Sequence, residues 1–194
     1  MAKIFAIIVA LMMLLGAPPY FKDILRGKTK PERATWFIWS LLGIIAFISQ
    51  LKLHGGWSLV FVGLDALGNL LVFGLSFRFG HGGWTRLDKV ALAIALAGVL
   101  VSLHYHQPVI ALTGVILADF SGAVLTIVKT FKAPETETTI TWLLVGTASL
   151  LGALSVGKLD WSLLLYPLYL ALANYAVIAA QVLGRTSRHE KVKA

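Results

Sequence analysis

Four polar side chains fall inside long apolar runs, where a carboxylate or an amide can bind a solute or a proton. Asp65 and Asn69 lie four positions apart, so both side chains share one face of a helix. Asp119 and Asn174 fall near the middle of two later runs. Because such groups are costly in hydrocarbon, they predict a functional site by default. We expect these four residues to contact a substrate or to titrate, with packing hydrogen bonds between helices as the competing interpretation.

The composition indicates that lipid is the main solvent of this chain. Of its 194 residues, 58% are hydrophobic and 13% are charged, with a mean hydropathy of +0.82. A soluble domain carries about 25% charged residues, so the chain lacks enough polar residues to cover a surface in water. The net charge of +8 is interpreted as basic residues that flank membrane spans rather than as a nucleic-acid surface. The absence of cysteine excludes disulfides and thiolate metal sites.

The charged residues separate seven apolar segments, each close to the ~20 residues that a helix needs to cross a bilayer. They predict an all-α membrane protein. The first segment also resembles a secretory signal, but Pro18 and Pro19 would stand at the cleavage point, so a span is favoured. The predicted spans are residues 4–21, 35–51, 57–78, 88–104, 108–129, 138–156 and 160–183.

Basic residues predict the orientation of the chain in the membrane. They concentrate in connections 22–33 and 78–89, at Lys129 and Lys132, and in the C-terminal tail, whereas the alternate connections are nearly neutral. Basic loops stay in the cytoplasm. The N-terminus is therefore predicted outside and the C-terminus inside, in an integral plasma (inner) membrane protein.

A phrase of the sequence occurs twice, 103 positions apart. "KPERATWFIWSLLG" at 30–43 matches "APETETTITWLLVG" at 133–146, and Asn69 is matched by Asn174 at a slightly larger offset. We interpret residues 1–79 and 106–185 as two three-helix repeats, 80–105 as a linker helix and 186–194 as a basic tail. Each repeat has an odd number of helices, so a second repeat joined directly to the first would be inverted. Because one linker helix lies between them, the repeats are predicted to be parallel, in a 3+1+3 arrangement.

This plan resembles the superfamily of SWEET, SemiSWEET and PQ-loop proteins, which also includes nicotinamide riboside carriers. Pro18 and Pro19 lie where the family has a Pro-Gln pair, without the glutamine, and Gly122 lies at the matching place in the second repeat. The family's central asparagines fall on Asn69 and Asn174. The resemblance implies a carrier for a small polar metabolite, such as a sugar or vitamin, although the family's aromatic residue beside the sugar has no match here.

Aromatic residues and prolines suggest where such a carrier would open and close. Trp39 and Trp142 begin the second helix of each repeat, where interfacial tryptophans are common; the alternative interpretation is an inner gate. Pro18 and Pro19 each remove a backbone hydrogen bond and are predicted to form a hinge, with Gly122 as its counterpart.

The sequence is compatible with two classes of function and disfavours a third. The leading one is a uniporter or proton-coupled carrier that works by alternating access; the alternative is a non-transporting receptor or assembly factor of PQ-loop type. An intramembrane enzyme is disfavoured because no nucleophile with a base and no metal cluster is evident, and no metal or other cofactor is expected. The predicted partners are a small polar solute and the bilayer, without nucleic acid. Function as a monomer is allowed, and a homo-oligomer is compatible with the sequence.

Overall fold

The computed structural model describes residues 2–52, 58–83, 85–105, 107–155 and 161–193, and these residues form an all-α fold. They contain seven α-helices and one 3₁₀ turn, Pro134–Thr136. Each helix coincides with one predicted apolar segment. The helices are α1 Ala2–Leu25, α2 Arg33–Lys52, α3 Ser58–Phe79, α4 Arg86–His104, α5 Pro108–Lys132, α6 Thr139–Ser155 and α7 Trp161–Lys193.

Five of these helices are long and apolar enough to cross a membrane, namely α1, α3, α4, α5 and α7. Within the described side chains, the apolar stretches of α2 and α6 cover residues 33–48 and 139–154. At 1.5 Å per residue, the 17 residues of α6 rise about 26 Å, just under the ~30 Å of hydrocarbon. Large aliphatic side chains lie exposed along the helices, as Leu96, Leu100 and Leu103 do on α4, which suits lipid contact.

Two helices extend four or more residues beyond their predicted ends. The first continues through Pro18 and Pro19 to Leu25, although each proline removes one backbone hydrogen bond. The last continues to Lys193 and takes the predicted basic tail into its final turns. Arg, Lys and Glu are good helix formers, so a polar segment that follows an apolar helix can prolong it.

The helices pack in two compact units that do not follow the order of the chain. The central unit comprises Lys30–Thr126, with α2, α3, α4 and most of α5. The terminal unit comprises Met1–Thr29 and Ile127–Ala194, with α1, the end of α5, α6 and α7.

Small residues bring the helices of the central unit close together. Its core contains Ala34 and Ile38 of α2, packed with residues of α4 and α5. Gly98 of α4 and Gly114 of α5 face each other so closely that a Cβ on either would overlap the other's carbonyl oxygen. Gly43 of α2 is similar, since an added Cβ would lie 3.0 Å from the Ala66 Cα of α3. Contacts of this kind let helix backbones approach one another in lipid.

The terminal unit is built around α6, which contacts both α1 and α7. On one side, the Thr141 hydroxyl donates a 2.8 Å hydrogen bond to the Gly16 carbonyl of α1. On the other, Gly146 leaves room for α7, because a Cβ there would lie 3.1 Å from the Asn174 Cβ. Near the end of α7, Gly184 meets the backbone of Phe131 on α5, where any side chain at residue 184 would overlap.

The 3+1+3 arrangement of consecutive triplets is not confirmed. The first helix contacts α6 and lies in the unit of α6 and α7 rather than in that of α2 and α3, and most of α5 belongs with α2, α3 and α4. The predicted ends of the two repeats and of the linker helix, at residues 79, 105 and 185, stay predictions. The helices are apolar on nearly all sides, so their periodicity does not specify a packing partner.

Candidate functional site

Asp65 and Asn69 lie together on α3 of the central unit. The Asn69 amide nitrogen donates a 3.2 Å hydrogen bond to the Asp65 carboxylate, as their spacing of one helical turn predicts. Asn69 is half-buried, and its amide also lies over Gly43, whose added Cβ would be 3.6 Å away. Asp65 is exposed at the surface of its unit. A carboxylate and an amide are therefore open to a ligand on an apolar helix.

Asn174 occupies the matching position on α7 of the terminal unit and is buried. Its amide nitrogen donates a 2.8 Å hydrogen bond to the Leu170 carbonyl one turn earlier. Its amide oxygen has no hydrogen-bond partner among the described residues. The neighbouring Tyr175 hydroxyl lies 3.0 Å from the Thr147 hydroxyl of α6. Asn174 thus presents an unused acceptor, and the next residue along α7 forms a hydroxyl pair with α6.

Asp119, Trp39 and Gly122 come together where α2 meets α5 in the central unit. The Trp39 indole donates a 3.4 Å hydrogen bond to the Asp119 backbone carbonyl, and the Asp119 side chain is buried. Gly122 is buried against the same ring, because an added Cβ would lie 3.3 Å from the Trp39 indole nitrogen. Its carbonyl accepts a 2.7 Å hydrogen bond from the Thr35 hydroxyl. The structure thus places Gly122 at a close helix contact.

Trp142 and the proline segment of α1 lie in the terminal unit. The Trp142 ring packs edge-on against Tyr20, just after the prolines, with 5.9 Å between the ring centres. Pro18 is exposed and Pro19 half-buried. Trp142 is buried rather than placed at a surface belt. Whether these residues act as a hinge and a gate stays a prediction.

A buried ion pair, absent from the sequence-based site, joins α5 to the start of α6. The Lys129 ammonium donates to the Glu137 carboxylate, and their side chains are 3% and 0% exposed. The other Glu137 oxygen accepts a 2.8 Å hydrogen bond from the Trp142 indole. Lys129 also lies 3.3 Å from the Thr136 carbonyl. The Lys129 charge, counted above toward orientation, is therefore neutralised inside the protein.

Two further polar groups fix the same connection in the terminal unit. The buried Gln181 amide of α7 donates to the carbonyls of Pro134 and Glu137, at 2.7 and 2.9 Å. The Thr138 hydroxyl donates to the Asp23 carboxylate at 3.0 Å, and lies 2.5 Å from the Thr29 hydroxyl. The start of α6 is thus tied to α1, α5 and α7 by buried polar side chains.

In the central unit, Glu32 holds the start of α2. One of its carboxylate oxygens accepts a 2.7 Å hydrogen bond from the Thr35 backbone, which caps the helix. The other oxygen has no partner among the described residues and lies against Gly82, a glycine with φ of +88°. Burial raises the pKa of Glu32 above its ordinary value of 4.5; the hydrogen bonds from Thr35 oppose this shift, and the negative charge of Asp88 adds to it.

Asp88 and Arg33 order the connection around Glu32. The buried Asp88 carboxylate accepts from the Thr85 backbone at 3.0 Å, while the Thr85 hydroxyl accepts from the Asp88 backbone, which forms a capping box on α4. The Arg33 guanidinium donates to the Ser76 carbonyl at 3.0 Å, near the end of α3. In the sequence, only Glu32, three residues before Thr35, could have indicated that a carboxylate caps the start of α2.

The described residues contain no group of three or more His, Cys, Asp or Glu side chains placed to hold a metal ion. The polar groups of Asp65, Asn69 and Asn174 can bind a solute through hydrogen bonds and, at Asp65, through charge. No known protein family, curated protein or solved structure matches the chain.

Proposed function

We propose that this protein is a membrane carrier for a small polar solute, working as a uniporter or a proton-coupled carrier by alternating access. The observation that carries the proposal is the Asn174 amide oxygen, which is buried in an apolar helix without a partner among the described residues. An unpaired acceptor in such a place costs about 1–3 kcal/mol. A solute that donates a hydrogen bond would offset that cost.

The amide orientations indicate the chemistry of the solute. The Leu170 carbonyl oxygen can only accept a hydrogen bond, so the Asn174 amide must use its nitrogen in that contact. The same holds for the Asn69 amide, which donates from its nitrogen to the Asp65 carboxylate. Both asparagines therefore keep their oxygens as acceptors, and Asn69 has the Asp65 carboxylate one turn away on the same helix. We propose a solute rich in hydrogen-bond donors, either polyhydroxylated or cationic, with Asp119 as a further contact.

Matching contacts support a role for the repeat in this carrier. Thr35 of α2 contacts Thr126 of α5 at 3.1 Å, and Thr138, 103 positions after Thr35, contacts Asp23 of α1 at 3.0 Å. Thr126 also lies 103 positions after Asp23. The second helix of each proposed repeat thus meets the first helix of the other. We propose that the first helices are exchanged between the repeats.

The exchange gives the proposed gates specific neighbours. Trp39 packs at Gly122 of α5, and Trp142 packs at Tyr20 of α1, just after Pro18 and Pro19. We propose that α2 moves together with α5, and α6 together with α1, during the transport cycle. The N-terminus outside and the C-terminus in the cytoplasm, in the plasma membrane, remain part of this proposal.

Uptake by proteoliposomes tests the carrier. The purified protein is supplied with labelled sugars, polyols, vitamins, nucleosides and amines, and saturable uptake above that of empty vesicles is expected. Asn174→Leu, which keeps the size but removes the acceptor, should abolish this uptake. Thr113→Val is the control, since that hydroxyl is already bonded to the Val109 carbonyl of its own helix.

Two results would overturn parts of the proposal. No uptake of any member of the pool by folded protein would favour a receptor or assembly factor. Saturable uptake that Asn174→Leu leaves unchanged would keep a carrier but remove Asn174 from its solute site. Asp65→Asn distinguishes a proton-coupled carrier from a uniporter. If Asp65 carries the coupled proton, uptake should depend on pH, and this dependence should be lost in the variant.

A further inference from the structure

A groove in the terminal unit lies between the last turns of α5 and the middle of α7. It has a volume of about 370 Å³ and is almost wholly apolar. Its lining residues are Ile127, Val128, Phe131, Lys132, Ala176, Ala179, Ala180 and Leu183. We propose that it binds one anionic phospholipid, with an acyl chain in the groove and the phosphate at Lys132. This inference is independent of the proposed transport activity.

The shape of the groove follows from one close contact. The two helices touch where Gly184 meets the Phe131 backbone, and any larger residue at 184 would separate them. Away from this contact, the lining of α7 consists of three alanines, Ala176, Ala179 and Ala180, which leave space beside α5. The result is a narrow apolar cleft that is open at the protein surface, a suitable shape for a hydrocarbon chain.

The charges at the mouth of the groove identify the head group. The Lys132 side chain is exposed, and no ion pair within the described residues engages its ammonium. Arg188 of α7 is different, because it pairs with Glu135 at 3.0 Å and also donates to the Lys132 carbonyl. Arg185, directly after Gly184, is exposed as well. This end of the groove therefore has an excess of positive charge, which a lipid phosphate complements.

The position along the helices agrees with a lipid. Lys132 ends the apolar span of α5, and Leu183 lies in the final part of the apolar span of α7. Basic residues at such span ends lie at the level of lipid phosphates, and basic pockets between helices bind anionic head groups. A second copy of the chain fits less well, since it would bring another net charge of +8 to a basic surface.

Apolar contact alone cannot select this lipid, because other acyl chains are as apolar as the groove. Selectivity must come from Lys132. One lysine beside an anionic lipid contributes about 1 kcal/mol, so Lys132→Gln should weaken phosphatidylglycerol binding about fivefold while phosphatidylcholine binding stays the same. Ala179→Leu, an exposed change that fills the cleft, should weaken the binding of both lipids.

The experiment is a lipid titration of the delipidated protein in neutral detergent, followed by native mass spectrometry. Phosphatidylglycerol should bind more tightly than phosphatidylcholine of the same acyl chains, with one site stronger than the rest. Lys89→Gln and Ala97→Leu are matched controls on exposed positions of α4 and should behave as the unchanged protein. Thermal unfolding of each variant verifies that it is folded.

Three outcomes would overturn the proposal. The first is equal affinity for the two lipids, and the second is an equal effect of Lys132→Gln and Lys89→Gln; both would mean that lipids merely surround the protein. The third is a lipid-free dimer in light scattering that Ala179→Leu disrupts, which would assign the groove to a second copy of the chain.

Discussion

Removing one partner of the Lys129–Glu137 ion pair should destabilise the protein far more than removing both. Both side chains are buried, at 3% and 0% exposure, so neither charge can be solvated by water when it is left alone. Breaking a buried pair costs about 3–5 kcal/mol. We expect Lys129→Met near the upper end of this range, because Glu137 would keep only the 2.8 Å bond from Trp142 for its charge. Glu137→Gln should fall near the lower end, since Lys129 keeps the Thr136 carbonyl at 3.3 Å.

The double variant Lys129→Met, Glu137→Gln removes both charges and leaves an amide that can still accept from Trp142. Replacing a buried pair by uncharged groups of similar size is often close to neutral. We therefore expect a cost of about 1 kcal/mol, so the effects of the single changes should be sub-additive by at least ~3 kcal/mol. The measurement is unfolding in mixed micelles by titration with sodium dodecyl sulfate, followed by far-ultraviolet circular dichroism.

A neighbouring glutamate provides the control for this cycle. Glu135 undergoes the same change to glutamine but belongs to an exposed pair with Arg188, with side chains 60% and 52% exposed. Exposed pairs contribute about 0–1 kcal/mol, so Glu135→Gln should have little effect. If Glu137→Gln were as mild as Glu135→Gln, or if the two single changes were additive, the argument from burial would be refuted.

Three further changes test the packing and the pH dependence. Gly98→Ala should cost about 3 kcal/mol or more in thermal unfolding, because the added Cβ overlaps backbone; Gly68→Ala, with open space around it, should cost nothing, and equal effects would contradict the close crossing. Because the pKa of Glu32 is raised when folded, the folded state binds more protons than the unfolded one, so stability should fall as pH rises from about 4.5 through the folded pKa. Glu32→Gln should flatten this profile between pH 4 and 8, and parallel profiles would exclude Glu32 as the cause. Gly16→Cys with Leu144→Cys should form a disulfide in this cysteine-free chain, since the two Cβ atoms would be 3.6 Å apart. A protease site engineered into residues 80–83 allows the chain to be cleaved between the two cysteines. If the resulting fragments did not stay joined, contact of α1 with α6 would be contradicted.

The helices themselves could be predicted from the sequence because long apolar runs have few alternatives in lipid. Their bounds agree within a few residues except at the end of α7, where a polar segment of good helix formers prolongs the helix to Lys193. The packing partners could not be predicted. The predicted repeat groups α1 with α2 and α3, but α1 contacts α6, because Gly16, Thr141 and Leu144 fit one another across the chain.

The candidate site was predicted only where local spacing was sufficient. Asp65 and Asn69 are one turn apart, so their hydrogen bond could be expected. The burial of Glu137 rather than Glu135, two residues earlier, depends on Lys129 of another helix, and no local pattern distinguishes the two glutamates. The unused acceptor of Asn174 likewise arises because its nitrogen is engaged by Leu170, which only coordinates can reveal.

The division of the chain into units also constrains the order in which it can be made. The central unit is one continuous segment, Lys30–Thr126, so all of it is available to fold once α5 has been synthesised. The first helix leaves the ribosome earliest, yet the helix that it contacts begins only at Thr139. At a synthesis rate of 5–20 residues per second, the roughly 110 residues that separate them take about 5–20 s. During that interval the nascent protein must keep α1 in the bilayer with its α6-facing surface uncovered, and a ribosome stalled before α6 would leave it there.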